Sequence, residues 1–318
     1  MSTRIDIPIS ICSDEKMQRL IELLRSYVSV AIGFSGGVDS TFLAAVCVRA
    51  LPPSHVHLIH LDTPLVGTPE RASFERERER FERLGAHVVS IAVDPLSDPT
   101  VAKNPADRCY HCKRLGFQRI MDAAHELGAH VVLEGSNADD AGDYRPGTRA
   151  VRELGAKSPL METGWSKAEE REVLRAWGHE VWNLPAGACL ATRVPCGEVL
   201  TAEKLHVVQA CEDYLHSLGF EQVRVRLDAG TARVSLGEDE LKATLLQNAQ
   251  TGERALPQRI IDELGRRAPK GSTPSSEHTF TAKATAKHND LQRSATLLPA
   301  TPRAATARRA RVRRCGCE

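Results

Sequence analysis

A chain of 318 residues, 42% hydrophobic and 26% charged, has room for about two domains with sizeable cores and the composition of an ordinary globular protein. No run of about 18 apolar residues occurs, which excludes a membrane-spanning helix, and the segment from Met1 to Asp6 lacks the apolar stretch of a secretory leader, so the cytoplasm is the expected compartment. The net charge of +1 hides an uneven distribution: residues 269–318 hold 10 basic and 3 acidic side chains, residues 1–268 hold 32 and 38, and the body therefore gives no argument for a nucleic-acid partner.

Met17, Leu20, Ile21 and Leu24 recur at helical spacing and set a helix from about Ser13 to Ser26. A strand at 28–34 follows, then Gly33-Phe34-Ser35-Gly36-Gly37-Val38-Asp39-Ser40-Thr41, then the apolar run Phe42-Leu43-Ala44-Ala45-Val46. The order is buried strand, glycine turn, helix. At such a turn the first backbone N–H groups of the helix point outward, Ser35 and Ser40 add hydroxyls, and the small residues let a phosphate approach the main chain. Neither the Gly-Lys-Ser/Thr ending of a Walker loop nor G-x-G-x-x-G is present. The segment SGGVDS instead resembles the PP-loop of ATP pyrophosphatases, which release pyrophosphate and leave an adenylated substrate.

Further strands are expected at 55–61, 87–93 and 130–134. Between the second and third, Thr68-Pro69-Glu70 reads as N-cap, N1 proline and first-turn acid of a charged helix that runs to about Leu84 and stops at Gly85. Strands separated by helices of this length imply right-handed crossovers and a parallel α/β sheet with ligands at the strands' carboxyl ends, which puts the Ser35–Ser40 loop at the mouth of the sheet. A second pattern begins near Asn183. Thr201 opens a helix to Leu218 with Leu205, Val208, Cys211, Tyr214 and Leu215 on its apolar side. The alternating runs 222–227 and 231–236, split by Asp228-Ala229-Gly230, make a β-hairpin. The organisation read from this is a nucleotide domain over 1–182, a smaller α+β domain over 183–268, and a disordered basic tail over 269–318.

The chemistry-bearing residues lie in three further places and in the glycine loop itself. Cys109 and Cys112 form a C-x-x-C within a helical stretch; two thiolates so spaced reach one metal centre, yet a lone pair equally suits two ordinary helix cysteines. The stretch Pro185-Ala186-Gly187-Ala188-Cys189-Leu190-Ala191-Thr192-Arg193 exposes a cysteine among small residues, and Arg193 four positions on favours its thiolate. Arg224 and Arg226, two apart on a strand, project from one face and suit a phosphate or carboxylate. Asp39, in the glycine loop, suits a Mg²⁺ ion that offsets charge on a pyrophosphate leaving group.

Taken in order, SGGVDS, RCYHCK, EGSNADD with DYRPG, PAGACLATRVPCGEVLT and VRVR resemble the ATP-dependent sulfur transferases of the LarE family, over about Val28 to Leu236. That family sulfurates an adenylated pyridinium dicarboxylate mononucleotide in building a nickel-pincer nucleotide. The resemblance implies ATP held by Ser35, Gly36, Gly37, Asp39 and Ser40, with Asp62 and Thr63 beside the adenosine and Gly135, Ser136 and Asn137 near the ribose and α-phosphate. It also implies substrate-side roles for Arg193 and Glu212, with Arg224 and Arg226 on the substrate phosphate. One branch of the family sacrifices a cysteine five positions before the matching arginine; here that position is Ala188, which cannot donate sulfur. A second branch carries a C-x-x-C and a cysteine four before the arginine, as in Cys109, Cys112 and Cys189, and the resemblance implies that these three hold a [4Fe–4S] cluster whose fourth iron takes exogenous sulfide. Cys189 as a sacrificial donor is the competing reading, followed by tRNA thiolation and by a non-enzymatic nucleotide-binding protein. The partners implied are a small nucleotide substrate and sulfide or another sulfur donor, with a homo-oligomer left open. Past Ile260-Ile261-Asp262-Glu263-Leu264-Gly265 the family pattern of a final strand gives way to an Arg/Ala/Thr-rich run, which reads as a replaced terminus or a shifted reading frame.

Overall fold

The computed structural model describes residues 15–142, 146–185, 187–228, 231–237, 240, 246–247, 254–267 and 280–285. Apolar spacing makes α1 (Glu15–Ser26), and β1 (Val30–Gly33) leads through the glycine loop into α2 (Val38–Ala50). β2 (Val56–Asp62), α3 (Thr68–Arg83) and β3 (His87–Ala92) follow. Then come the short α4 (Pro99–Ala102), the long α5 (Arg108–Glu126), β4 (Val131–Leu133), α6 (Pro146–Glu153), α7 (Pro159–Glu162) and α8 (Lys167–Ala176). Each of the four expected strands is present within two residues of its expected ends. One cap differs: Gly67, in extended backbone, is the N-cap of α3, so Thr68 already lies inside the helix and Pro69 occupies its first turn.

The four strands pair in the order β3-β2-β1-β4, all parallel, with Val30 opposite both Val56 and Val131. Alternation along β1 divides the core in two. Val30 and Ile32 face a cluster built with Leu20 and Leu24 of α1, Phe42 and Val46 of α2, Trp165, and Leu174 of α8. Ala31 faces the opposite cluster, with Phe117 and Ile120 of α5, Ile59 and Val132. Helices on both faces force the glycine loop to the carboxyl edge of the sheet, as the sequence implies.

A second unit carries α9 (Ala202–Ser217) from His206 on, the hairpin β5 (Val223–Asp228) and β6 (Thr231–Gly237), a two-stranded ribbon β7 (Leu246–Gln247) and β8 (Arg254–Ala255), α10 (Gln258–Arg267) and β9 (Phe280–Thr285). Val207, Cys211 and Leu215 of α9 pack with Val223, Val225, Val234 and Leu236 of the hairpin and with Ile260 and Leu264 of α10. The division into compact units runs differently from the expected boundary after residue 182: the first unit continues to Ala191 and takes back Gly197–Leu205, while the second holds Thr192–Cys196 and residues from His206 on. Within the segment read as a disordered tail, β9 pairs in parallel with β6, Ala232 opposite Phe280 through Gly237 opposite Thr285. Its Phe-Thr-Ala-Lys-Ala-Thr sequence has strand-forming threonines that the Arg/Ala bias of the surrounding segment obscures. The remainder of that segment, including Cys315 and Cys317, lies outside the described residues.

Candidate active site

Between β1 and α2 the backbone of Ser35–Ser40 closes on itself. Ser40 Oγ accepts from the Ser35 N–H at 3.3 Å, meets Ser35 Oγ at 3.1 Å and donates to the Gly37 carbonyl at 3.2 Å, while the Gly37 N–H donates to Ser35 Oγ at 3.3 Å. Gly37 caps α2 without any side-chain hydrogen bond, which leaves the first turn's donors and the positive end of the helix for an anion. Gly36 has φ +72°, and a Cβ there would stand 2.7 Å from the Phe74 backbone nitrogen. Its carbonyl accepts from the buried Ser73 hydroxyl at 2.7 Å. The loop is therefore seated on the first turns of α3. Phe74 is itself fixed by stacking on His60, with ring centroids 3.6 Å apart.

The loop after β4 lies against the same turn: a Cβ on Gly135 would stand 3.1 Å from the Ser40 nitrogen. Asn137, almost wholly buried, donates from Nδ2 to Asp39 Oδ1 at 3.5 Å. Ser136, expected near the ribose and α-phosphate, donates both its N–H and its Oγ to Glu134 Oε2, at 3.0 and 2.7 Å. Ser158 donates to the other oxygen of the same carboxylate.

Two residues of α8, absent from the sequence reading, converge on Asp39. Lys167 Nζ stands 3.1 Å from Asp39 Oδ2, and its backbone N–H is held by Asp139 Oδ2 at 2.9 Å. Ser166 and Glu169 close a capping box that fixes this helix start. Glu170, with no exposed surface, is held well above the ordinary carboxylate range, by burial above all and then by Asp39 beside it. A glycine loop lacking a lysine of its own thus has one supplied from a separate helix 128 residues away. The capping-box pattern Ser166-x-x-Glu169 was the one local signal that could have marked this helix start in the sequence.

At the end of β2, Arg71 of α3 pairs with Asp62 at 2.5 Å and donates to the carbonyls of Thr63 and Val66. That makes a braced loop of the residues expected beside the adenosine. To it is tied the cysteine segment: the Leu190 N–H donates to the Leu65 carbonyl at 2.9 Å. Gly187 lies so close to Glu70 that a Cβ would stand 2.9 Å from its Cγ. Cys189 is exposed, whereas Cys109 and Cys112 at the start of α5 are half-buried. The Cys112 thiol is pushed up to about 11, chiefly by burial and next by Cys189, with a smaller push from Cys109. Cys189 thus acts on Cys112 across 77 positions of sequence, which local reading could not establish.

Among the described residues no three His, Cys, Asp or Glu side chains form a metal-holding group. Cys109, Cys112 and Cys189 supply thiolates, the donor type an iron–sulfur cluster takes. Arg108, next to Cys109 at the start of α5, is a cation to which the sequence reading gave no role. Burial pulls its guanidinium down, but Cys189, Cys109 and Cys112 together push it above its usual value.

Arg193 has other work, in the second unit. Nearly buried, it donates through Nε to Glu212 Oε1 at 2.7 Å, and Glu212 also accepts the Val225 N–H at 2.8 Å. The carboxylate thus ties the helix α9 to β5. Glu212→Ala leaves a buried guanidinium and a backbone donor unanswered, and we expect a loss of about 3–5 kcal/mol in urea unfolding. Arg224 and Arg226 alternate along β5 as expected, and Arg226 is opposite Arg233 in the register with β6. Arg226 is held below its usual value by burial first, then by Arg224 and Arg193. Like charges directly opposed destabilise a hairpin, so this arginine face is one that an anion would relieve. Arg233 escaped the sequence reading because only the register pairs it with Arg226. Cys196 is exposed, while Cys47 and Cys211 are core residues as expected.

Residues 16–104 match the family model described as NAD synthase. The chain is 34% identical over 240 residues to an uncharacterized protein of Synechocystis sp., covering 76% of this chain and 88% of that protein. It is 34% identical over 233 residues to the pyridinium-3,5-bisthiocarboxylic acid mononucleotide synthase of Lactiplantibacillus plantarum, covering 73% of this chain and 83% of that enzyme. A GMP synthase of Bdellovibrio bacteriovorus is 27% identical over 205 residues, which span only 39% of its length. With a PP-loop at the carboxyl edge of a parallel sheet and this extent of likeness, the chain belongs to the LarE family of ATP-dependent sulfur transferases, within the PP-loop superfamily.

Proposed function

We propose that this protein adenylates a carboxylate of a pyridinium dicarboxylate mononucleotide and replaces the adenylate with sulfur, giving a thiocarboxylate. The observation that carries this reading is the Leu190–Leu65 hydrogen bond, which fastens the Cys189 segment to the loop leading from β2 into α3, the loop to which the adenosine is assigned here. In the proposed order of events the PP-loop donors receive the ATP phosphates. Asp39 is the residue that would hold Mg²⁺, which when bound would supply charge to the leaving group, and Lys167, 3.1 Å from Asp39, offsets the charge developing on the departing pyrophosphate. The substrate carboxylate oxygen attacks the α-phosphorus, and the mixed anhydride makes the carboxyl carbon electrophilic. A sulfur nucleophile then adds, and AMP leaves.

Cys109, Cys112 and Cys189 are the residues that would hold a [4Fe–4S] cluster, which when bound supplies an iron without a protein ligand to which inorganic sulfide attaches. Ala188 occupies the position where self-sacrificing relatives place their donor, which favours sulfur brought from outside. Arg224, Arg226 and Arg233 are assigned to the substrate phosphate, with Arg193 and Glu212 as the pair that fixes the strand beneath them. The test is pyrophosphate release from Mg·ATP with and without the dicarboxylate mononucleotide. We expect release to depend on that substrate and to rise at least about tenfold when it is added. Release unaffected by substrate, or stimulated by tRNA instead, rejects the assignment.

A further inference from the structure

The side chain of Arg108 is a buried charge in the first unit that the proposed reaction leaves without a role. Only 6% of its surface is exposed. Nη1 donates to Asn104 Oδ1 at 3.1 Å and Nη2 to Cys109 Sγ at 3.5 Å, and Cys189 and Cys112 both act on it electrostatically. Asn104 is unusual in its own right. It is 4% exposed and sits at φ +52°, one of two non-glycine residues with positive φ among the described residues. A left-handed backbone at a residue other than glycine persists where its surroundings require it. Here the carbonyl of Asn104 accepts the Gly197 N–H at 2.7 Å, while its amide oxygen faces the guanidinium. The strained residue thus does two things at once: it pins the returning segment and aims Arg108.

We propose that Arg108, oriented by Asn104, gives the three-cysteine site a fixed positive potential that draws in its sulfur as a small monoanion, inorganic hydrosulfide. Asn104 is a positioning residue in this scheme. The proposal rests on the reading of Cys109, Cys112 and Cys189 as the sulfur site. A neutral carrier would gain nothing from the guanidinium, whereas an anion is attracted before any bond forms. Arginine suits the task because its charge survives burial and its fork can serve Asn104 and a sulfur together.

Two alkylating agents separate local potential from thiol ionisation. Iodoacetate carries a negative charge and iodoacetamide does not, so the ratio of their rates at one cysteine cancels the thiolate fraction. The full-length, cluster-free protein would be treated with each, and modification at Cys189 and at the exposed Cys196 followed by mass spectrometry. We expect the iodoacetate/iodoacetamide ratio at Cys189 to exceed that at Cys196, to fall about fivefold in Arg108→Met, and to persist in Arg108→Lys. In Asn104→Gly, where the backbone conformation is retained and the amide lost, the ratio falls about twofold; this variant decides the matter if Arg108→Met does not fold. An unchanged ratio in the folded Arg108→Met or Asn104→Gly variant overturns the proposal. Iron and sulfide analysis of the wild type after anaerobic reconstitution reads the cluster separately, so failure of the cluster reading leaves the alkylation result standing.

Discussion

Replacing Gly36 by alanine is expected to lower substrate-dependent pyrophosphate release by about a hundredfold or more and to destabilise the first unit by about 4 kcal/mol. Two separate demands meet at this residue. At φ +72° a side chain is strained wherever it points, which contributes about 1–3 kcal/mol. The direction it would point is occupied by main chain: Phe74 N at 2.7 Å, with Phe74 Cβ at 2.8 Å. Backbone of a helix cannot step aside as a flexible side chain can, so either α3 moves or the glycine loop lifts. Because Phe74 is wedged between His60 and Phe34, the loop is the softer partner. Lifting it also breaks the Ser73–Gly36 hydrogen bond and misdirects the N–H groups meant for phosphate. Gly37→Ala is the control: it has no positive φ, and its nearest neighbour to a Cβ is Ser35 Oγ at 3.3 Å. We expect Gly37→Ala to cost less than Gly36→Ala in both chemical denaturation and pyrophosphate release. Equal effects at the two positions would remove the seat on α3 as the explanation.

How much of this was legible beforehand depends on whether the deciding contacts are local. The strand–loop–helix around Ser35 is a run of neighbours, so hydrophobic period and glycine content locate it without help from the rest of the chain. The arginines of β5 are legible for the same reason, since alternation alone puts Arg224 and Arg226 on one face. Lys167 and Glu170 are different. Nothing near them in sequence resembles a phosphate site, and they matter only because α8 delivers them to Asp39. The partner of Arg193 is likewise out of reach of local reading, since Glu212, which pairs with it, lies nineteen residues further on in α9. Strand β9 was hidden by composition, because an Arg/Ala/Thr-rich surround outweighs six residues of strand propensity when judged over a long window.

Cys189→Ala is expected to abolish thiocarboxylate formation, by about 10³-fold or more, while substrate-dependent pyrophosphate release continues. The two half-reactions separate because the residues proposed to handle the phosphates, from Ser35 to Ser40 with Lys167, belong to the loop after β1 and to α8, whereas Cys189 rides on the segment fastened at Leu65. Loss of the thiol removes no hydrogen bond between Leu190 and Leu65, since that bond is made by backbone alone. The same variant also decides how sulfur arrives. If three cysteines hold a cluster, anaerobically prepared Cys189→Ala loses most of the iron and acid-labile sulfide that the wild type carries, and wild type makes more than one thiocarboxylate per chain when sulfide is supplied. If Cys189 is consumed instead, the wild type is iron-free, stops at one product per chain, and gains a dehydroalanine 34 mass units lighter, the mass of the hydrogen sulfide lost. Retained thiocarboxylate formation in Cys189→Ala would sink both versions and return the sulfur site to Cys109 and Cys112 alone.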